Sequence, residues 1–424
     1  MSLKIIEARF ADSSEVRRRQ VRFDEATGLI VDVGDRLAPR ADWSFDDDCL
    51  AFAGFGDVHI HAREDVSGQH CYKEDFHSAS QAALNGGVTH VADMPNNPVP
   101  PIDDASYQGK LALAAQAPIN FLLYAGIGPG TSALSFAVPY KAYMGPSVGE
   151  LFFRNDDELD RALARYQGQW VSFHCEDPVE LEAHKHEAQH HLRRSVRAEL
   201  LATATALRLI EKYRLRGKLC HYSAGDGLEA IRQARHRGVD VSIEVTPQHL
   251  YFSQEELADH ERVRFQMNPP IRGRRDNELL LAALLQGEID FLATDHAPHT
   301  AEEKEKGTSG LTGLDSYGAF VTWLLVEKKV PATLVARVAA ENPGAFLNQF
   351  LPTLKGLRPE YQRLGLGAGF LRPGFAAQFT VLRLNAPTTL TREMLGTKVG
   401  HNPFVGVRFP GKVEKVFLAG KVVR

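Results

Sequence analysis

The chain has 424 residues, 44% hydrophobic and 24% charged, which suits a globular protein with a sizeable core and excludes a disordered or collagenous one. Lys and Arg number 49 against 53 Asp and Glu, a net charge of −4, so a small-molecule partner is expected rather than nucleic acid or a membrane surface. No apolar run approaches the ~20 residues of a membrane span, and the N-terminus lacks signal-peptide features, so a cytoplasmic protein is expected. The four cysteines form no CxxC pair and read as reduced thiols, while the 17 histidines raise the question of metal.

Residues 1–50 read as short β segments (Lys4 to Ala8, Arg19 to Phe23, Leu29 to Val33) separated by turns. From Ala51 apolar strand-like runs alternate with helical stretches, the pattern of βα units. There are eight such runs: Phe52–His59, Val88–Met94, Ile119–Ala125, Phe136–Tyr140, Trp170–His174, Lys218–His221, Val239–Val245 and Ile289–Thr294. Eight closes a (β/α)8 TIM barrel, an α/β fold. Helices are predicted over Phe76–Asn85, N-capped by Asp75, and over Ser195–Tyr213 and Gly227–His236. A polar, mobile-looking loop (Ala301–Thr312), helices at Ser316–Lys328 and Pro331–Asn348, and a return to β character from Gly365 complete the chain. The expected organisation is a barrel over 51–360 and a small β domain built from 1–50 and 361–424.

His59, His61 and Arg63 alternate at the end of the first run and can share one face, at the end of a barrel strand where active sites form. His174 ends WVSFH, His221 ends KLCH, and Asp295 follows FLAT. Four histidines and an aspartate exceed what one catalytic zinc needs, which points to two metals. Lys141, in VPYKAYMG, could bridge them as a carbamate, because cations lower an amine's pKa and a neutral amine reacts with CO2; a lysine that reaches solvent or binds substrate is the alternative. Cys175 and Cys220 alternate away from the ligands and read as packing residues, and Glu244 as a structural hydrogen-bonding group. The histidines at 184, 186, 190 and 191 read as a solvated helical face.

The ordered motifs DVHIHAR, KEDF, GGVTHVADMPNNP, YKAYM, FHCED, CHYSAGDGLEAIRQA, EVTPQHLYFS, MNPPIR, TDHAPHTAEEK and GLTGLDS, covering roughly residues 51–320, resemble those of dihydroorotases of the amidohydrolase superfamily. The resemblance implies a barrel flanked by a β-sandwich of both termini. It implies two Zn2+ per chain, one held by His59, His61 and Asp295, the other by His174 and His221, with carboxylated Lys141 as bridge. Asp295 would be the proton shuttle, Arg63, Asn96 and His299 would hold the substrate carboxylate, and Asn268 would reach the ring. The reaction implied is interconversion of N-carbamoyl-L-aspartate and L-dihydroorotate, in pyrimidine biosynthesis. A homo-oligomer, as a dimer, and association with aspartate transcarbamoylase are the partner expectations. The family's Arg-x-Pro-Gly reads Arg63-Glu64-Asp65-Val66, its MPNT reads Met94-Pro95-Asn96-Asn97, and the loop Gly145–Gly149 carries Ser147 and Val148 where the animal-type loop has Thr-Phe. The rival readings are a hydantoinase, dihydropyrimidinase or allantoinase, and a non-catalytic homologue supporting a partner enzyme.

Overall fold

A computed structural model describes residues 2–146, 151–258 and 260–424. The barrel strands are Phe55–Ile60, Val88–Asp93, a third strand in two pieces (Asn120–Leu123 and Ala125–Ile127), Tyr140–Tyr143, Trp170–His174, Arg216–Leu219, Val241–Val245 and Phe291–Leu292. Each pairs in parallel with the next, the third strand reaching the second through its first piece and the fourth through its second. A parallel bridge between Ile60 and His296 returns the eighth strand to the first, and the sheet closes.

Only Trp170–His174 keeps its expected bounds, and the first, fourth and third runs show why the others shift. The run Phe52–His59 divides at Gly54, since Cys49–Ala53 pairs with the terminal segments and only Phe55–Ile60 enters the barrel. A Cβ at Gly54 would stand 2.3 Å from Thr89 Oγ1, so the chain can pass from sheet to barrel there only without a side chain. The fourth strand is Tyr140–Tyr143, not Phe136–Tyr140. Pro139 has no N–H to offer a neighbour and sits just ahead of the strand, its carbonyl accepting from Ala125 N. The run Ile119–Ala125 extends to Ile127, bending at Tyr124.

Most helix signals translated closely, while the expected helix Pro331–Asn348 divides into Ala332–Ala336 and Asn342–Leu357 and runs past its expected end. Phe76–Asn85 is capped by Asp75, whose carboxylate accepts from Ser78 N while the Ser78 hydroxyl oxygen accepts from Asp75 N. Val196–Tyr213 begins after Ser195, which accepts from Ala198 N. The stretch 301–312, which reads as mobile, contains the helix Ala301–Glu305, closed by a capping box from Thr300 and Glu303.

Both termini build one eight-stranded sheet, in which the strand Cys49–Ala53 lies between Leu3–Ala11 and Phe379–Arg383. Its apolar face gathers Phe10, Phe23 and Phe417 around Phe379 in edge and tilted ring contacts, with Trp43 stacked on Phe23 and edge-on to Phe417. No helix among the described residues is long and apolar enough to cross a membrane.

Barrel closure leans on one buried carboxylate. Asp57, in the first strand, accepts from Thr294 N (3.0 Å) and Thr294 Oγ1 (2.6 Å) at the end of the eighth, and from His59 N (3.0 Å). Thr294→Val removes one donor from a fully buried acceptor and is expected to cost about 1–3 kcal/mol, read as a lower urea midpoint at unchanged m-value.

Candidate active site

The C-terminal ends of the strands bring His59, His61, Arg63, Asn96, His174, His221 and Asp295 to one cavity, joined by Tyr143 and by Asn268, Ser309 and Gly310 from the longer connections. Of the other two candidates, Lys141 lies inside the fourth strand, fully buried, and His299 stands behind Arg63. Ser147, Val148 and Gly149 of the expected loop lie outside the described residues.

Alternation alone does not deliver these side chains. The first strand ends at Ile60 and the sixth at Leu219, and Arg63, His221 and Asp295 each take positive φ (65°, 37° and 48°). Such conformations cost an L-residue of order 1 kcal/mol or more, so the surrounding structure must impose them. They turn the chain sharply past the strand ends.

The hydrogen bonds fix which imidazole nitrogens are free. His59 Nδ1 donates to Glu244 Oε1 (2.5 Å) and leaves Nε2 3.2 Å from Asp295 Oδ1. His61 Nδ1 donates to Asn96 Oδ1 (2.7 Å), with Nε2 3.0 Å from the same Asp295 oxygen. His174 is engaged through Nε2 by Glu176 Oε2 (2.6 Å) and turns Nδ1 to His221 Nε2 at 2.9 Å. Burial raises a carboxyl, but Arg194 and His174 hold Glu176 down at about 2, so it stays an acceptor.

Burial above all, with nearby cationic groups adding to it (Lys141 at His59, Arg63 at His61), pushes His59, His61, His174 and His221 below the usual imidazole range. They are neutral and can offer lone pairs. Ligand atoms of His59, His221 and Asp295 lie within 4.8 Å of one another, and the Lys141 Nζ and His221 Nδ1 are buried with no hydrogen-bond partner among the described residues. Neutral imidazoles, a carboxylate and orphaned nitrogens at one point fit divalent metal, because a cation would satisfy what the protein leaves open.

Two neighbours lie beneath the site. Cys220 is a buried core residue that does not line the cavity, in keeping with its reading as a packing residue, although its sulfur lies within 4.8 Å of ligand atoms of His59 and Glu244 rather than turned away from them. Lys218, unremarked, is a fully buried cation in the sixth strand that pairs with Glu244 Oε2. A lysine inside the apolar run GKLC was the available signal.

Arg63 is buried and forms no ion pair among the described residues, neither with Glu64 nor with Asp65. Nε donates to the Pro298 carbonyl (3.3 Å) and Nη2 to His299 Nε2 (3.2 Å). Burial, then Arg63, pushes His299 far below the ordinary imidazole range, so it is a neutral acceptor that aims the guanidinium.

Residues 50–349 match the model of the amidohydrolase family. The chain belongs to that family. It is 31% identical to the dihydroorotase of Shouchella clausii over 396 residues (88% of this chain, 87% of that protein), and 31% identical to the dihydroorotase of Geobacillus thermodenitrificans over 424 (94% and 90%). Among solved structures, the L-hydantoinase (dihydropyrimidinase) of Arthrobacter aurescens superposes with a TM-score of 0.84 at 24% identity, covering 99% of this chain and 95% of that one, which is a likeness of fold. This amidohydrolase is a hydrolase of cyclic amides.

Burial raises Asp295 to about 7, against the opposing charge of Lys141. A folded-state pKa above the ordinary ~4 adds stability that is complete below about pH 4 and is lost as pH rises through about 7. In the chelator-stripped protein the buried neutral histidines act with the opposite sign, because they gain protons on unfolding, and Asp57, which burial also raises to about 7, acts with the same sign. The Asp295 contribution is therefore read as a difference: Asp295→Asn is expected to gain stability relative to the unmodified protein as pH rises through about 7. Urea midpoints at about pH 5 and about pH 8 measure the difference.

Proposed function

We propose that the protein is a zinc-dependent dihydroorotase, interconverting N-carbamoyl-L-aspartate and L-dihydroorotate. The observation that carries this reading is Arg63: a buried guanidinium with no acidic partner among the described residues, lining the cavity beside the histidine cluster. A guanidinium in that position answers a substrate carboxylate with two parallel donors, and dihydroorotate has a carboxylate where hydantoin and dihydrouracil have none. The sequence likeness to curated dihydroorotases supports the same choice.

In this reading His59, His61 and Asp295 would hold one zinc ion and His174 and His221 the other, with Lys141, carboxylated, as their shared ligand. Bound there, the metal would supply a nucleophilic water at neutral pH and Lewis-acid polarisation of the ring carbonyl. The buried, unpartnered Lys141 Nζ suits carbamate formation: in its neutral form it attacks CO2, a C–N bond forms, and a proton leaves. Asp295, raised by burial, takes the attacking water's proton and passes it to the ring nitrogen as the C–N bond breaks. Ring closure reverses the order. Asn96, fixed against His61, joins Arg63 at the carboxylate, with His299 aiming Arg63 from behind. The Asn268 Oδ1, buried without a partner among the described residues, accepts from a ring N–H.

Two variants test the roles. Lys141→Ala should lose metal and activity together, and short carboxylic acids should restore part of both; undiminished metal and turnover would remove Lys141 from the bridge. Arg63→Met should cost at least ~2–3 kcal/mol in kcat/KM for dihydroorotate at unchanged metal content. The assignment as a whole rests on a steady-state panel of dihydroorotate, hydantoin, dihydrouracil and allantoin with the unmodified protein. Strong preference for dihydroorotate is expected, and equal turnover of dihydrouracil would give the reading to the hydantoinase type.

A further inference from the structure

Asn268, Ser309 and Gly310 line the cavity from two segments that are not barrel strands. One backbone bond joins them, Gly310 N to the Gln266 carbonyl at 2.9 Å. The second link is a side chain. Lys304, on the helix Ala301–Glu305, is 3% exposed, and its Nζ donates to the carbonyl oxygens of Gln266, Thr308 and Gly310, each at 2.8 Å. An ammonium has three N–H groups, so three acceptors saturate it.

Packing alone would not retain a charge here. Among the described residues no carboxylate pairs with Lys304, and burial pulls it down to about 7. His299 and His401, which feel its charge, are themselves pushed down by burial. A methionine would fill the space without that cost, but would leave three inward-facing carbonyls with less to bond. Two of those carbonyls belong to residues 308–310 and the third stands two residues before Asn268. Gly310 also presses on the anchor: at φ +141°, a Cβ there would lie 2.7 Å from the Ala297 carbonyl oxygen and 2.8 Å from His299 Cδ2, the ring that aims Arg63.

We propose that Lys304 is a positioning residue, pinning segments 266–268 and 308–310 together so that Asn268, Ser309 and Gly310 stand as a fixed wall against the ring of the cyclic amide. The proposal rests on reading this cavity as the substrate site. It assigns the helix after the eighth strand a role in holding substrate rather than in the proton transfers at Asp295.

Steady-state kinetics, metal content and amide hydrogen exchange of Lys304→Met and Lys304→Arg test it, with whichever cyclic amide the unmodified enzyme turns over. If that substrate is not dihydroorotate, the dihydroorotase reading falls while the Lys304 comparison stands. Lys304→Met is expected to raise KM about tenfold or more with kcat within about threefold. Metal content should hold, and faster exchange should be confined to residues 266–268 and 308–311. Lys304→Arg, which keeps charge and donors, should recover part of the KM. A folded Lys304→Met with unchanged KM would overturn the proposal, as would a fall in kcat accompanied by metal loss. Failure of both variants to fold would assign Lys304 to the fold as a whole and equally end it.

Discussion

A carboxylate taken fully out of water costs several kcal/mol unless its lone pairs are met and its charge is matched, and the floor of this barrel is built around one such group. Glu244 on the seventh strand accepts from His59 Nδ1 and from His221 N with one oxygen, and pairs with Lys218 through the other. Lys218 in turn lies near the rings of Tyr124, Phe291 and Phe346. Strands one, six and seven are tied at a single point. The consequence reaches the chemistry: with Nδ1 committed to Glu244, His59 presents Nε2 as a lone pair, and with its own N–H committed, His221 is held in a left-handed turn above the strand end.

The same economy governs the other side of the site. Asp57 clamps the eighth strand to the first through Thr294, one residue before Asp295, and so fixes the turn at which Asp295 takes positive φ. Asp93 accepts from Ala62 N (2.7 Å) and pairs with the buried Lys110 (2.5 Å), holding the stretch that leads into Arg63. Residues that never touch a substrate thus decide where Arg63, His221 and Asp295 point, and each belongs to a buried, charge-matched or fully hydrogen-bonded group. Removing one partner of such a group leaves the other stranded, which is why these sites tolerate change less well than an apolar core of the same volume.

The barrel was legible because parallel strands buried on both faces leave continuous apolar runs, and capped helices leave Asp75 and Ser195 ahead of their first turns. Strand ends were less legible. Period-two alternation holds only while the chain is extended, so Arg63 reaches the site by a left-handed turn rather than by alternation along the first strand. Phe136–Tyr140 looked like a strand by composition, and the proline within it carried the contrary signal. The buried cations were hardest: Lys218 and Lys304 sit in ordinary-looking sequence, and only the tertiary arrangement of Glu244 or of three backbone carbonyls explains a charge at those positions.

The fold likeness to a hydantoinase and the sequence likeness to dihydroorotases concern different parts of the molecule. A barrel and its terminal sheet are fixed by packing, which many sequences satisfy, so a TM-score of 0.84 at 24% identity speaks for the scaffold. Choice among cyclic amides that differ by one carboxylate is a matter of a few groups on the connecting loops. A neutral ring offers a buried guanidinium no opposite charge, and a site that handles only neutral rings would leave Arg63 with no direct ion pair among the described residues, the cost of its burial offset only by its bonds to Pro298 and His299 and by the more distant charges of Asp295, Asp93 and Glu303. An anionic substrate removes that cost on binding, and the discrimination is then largest where the empty site is least comfortable. In the proposed reading, Arg63 rather than the histidines of the metal centre is therefore the residue on which the choice of substrate would turn.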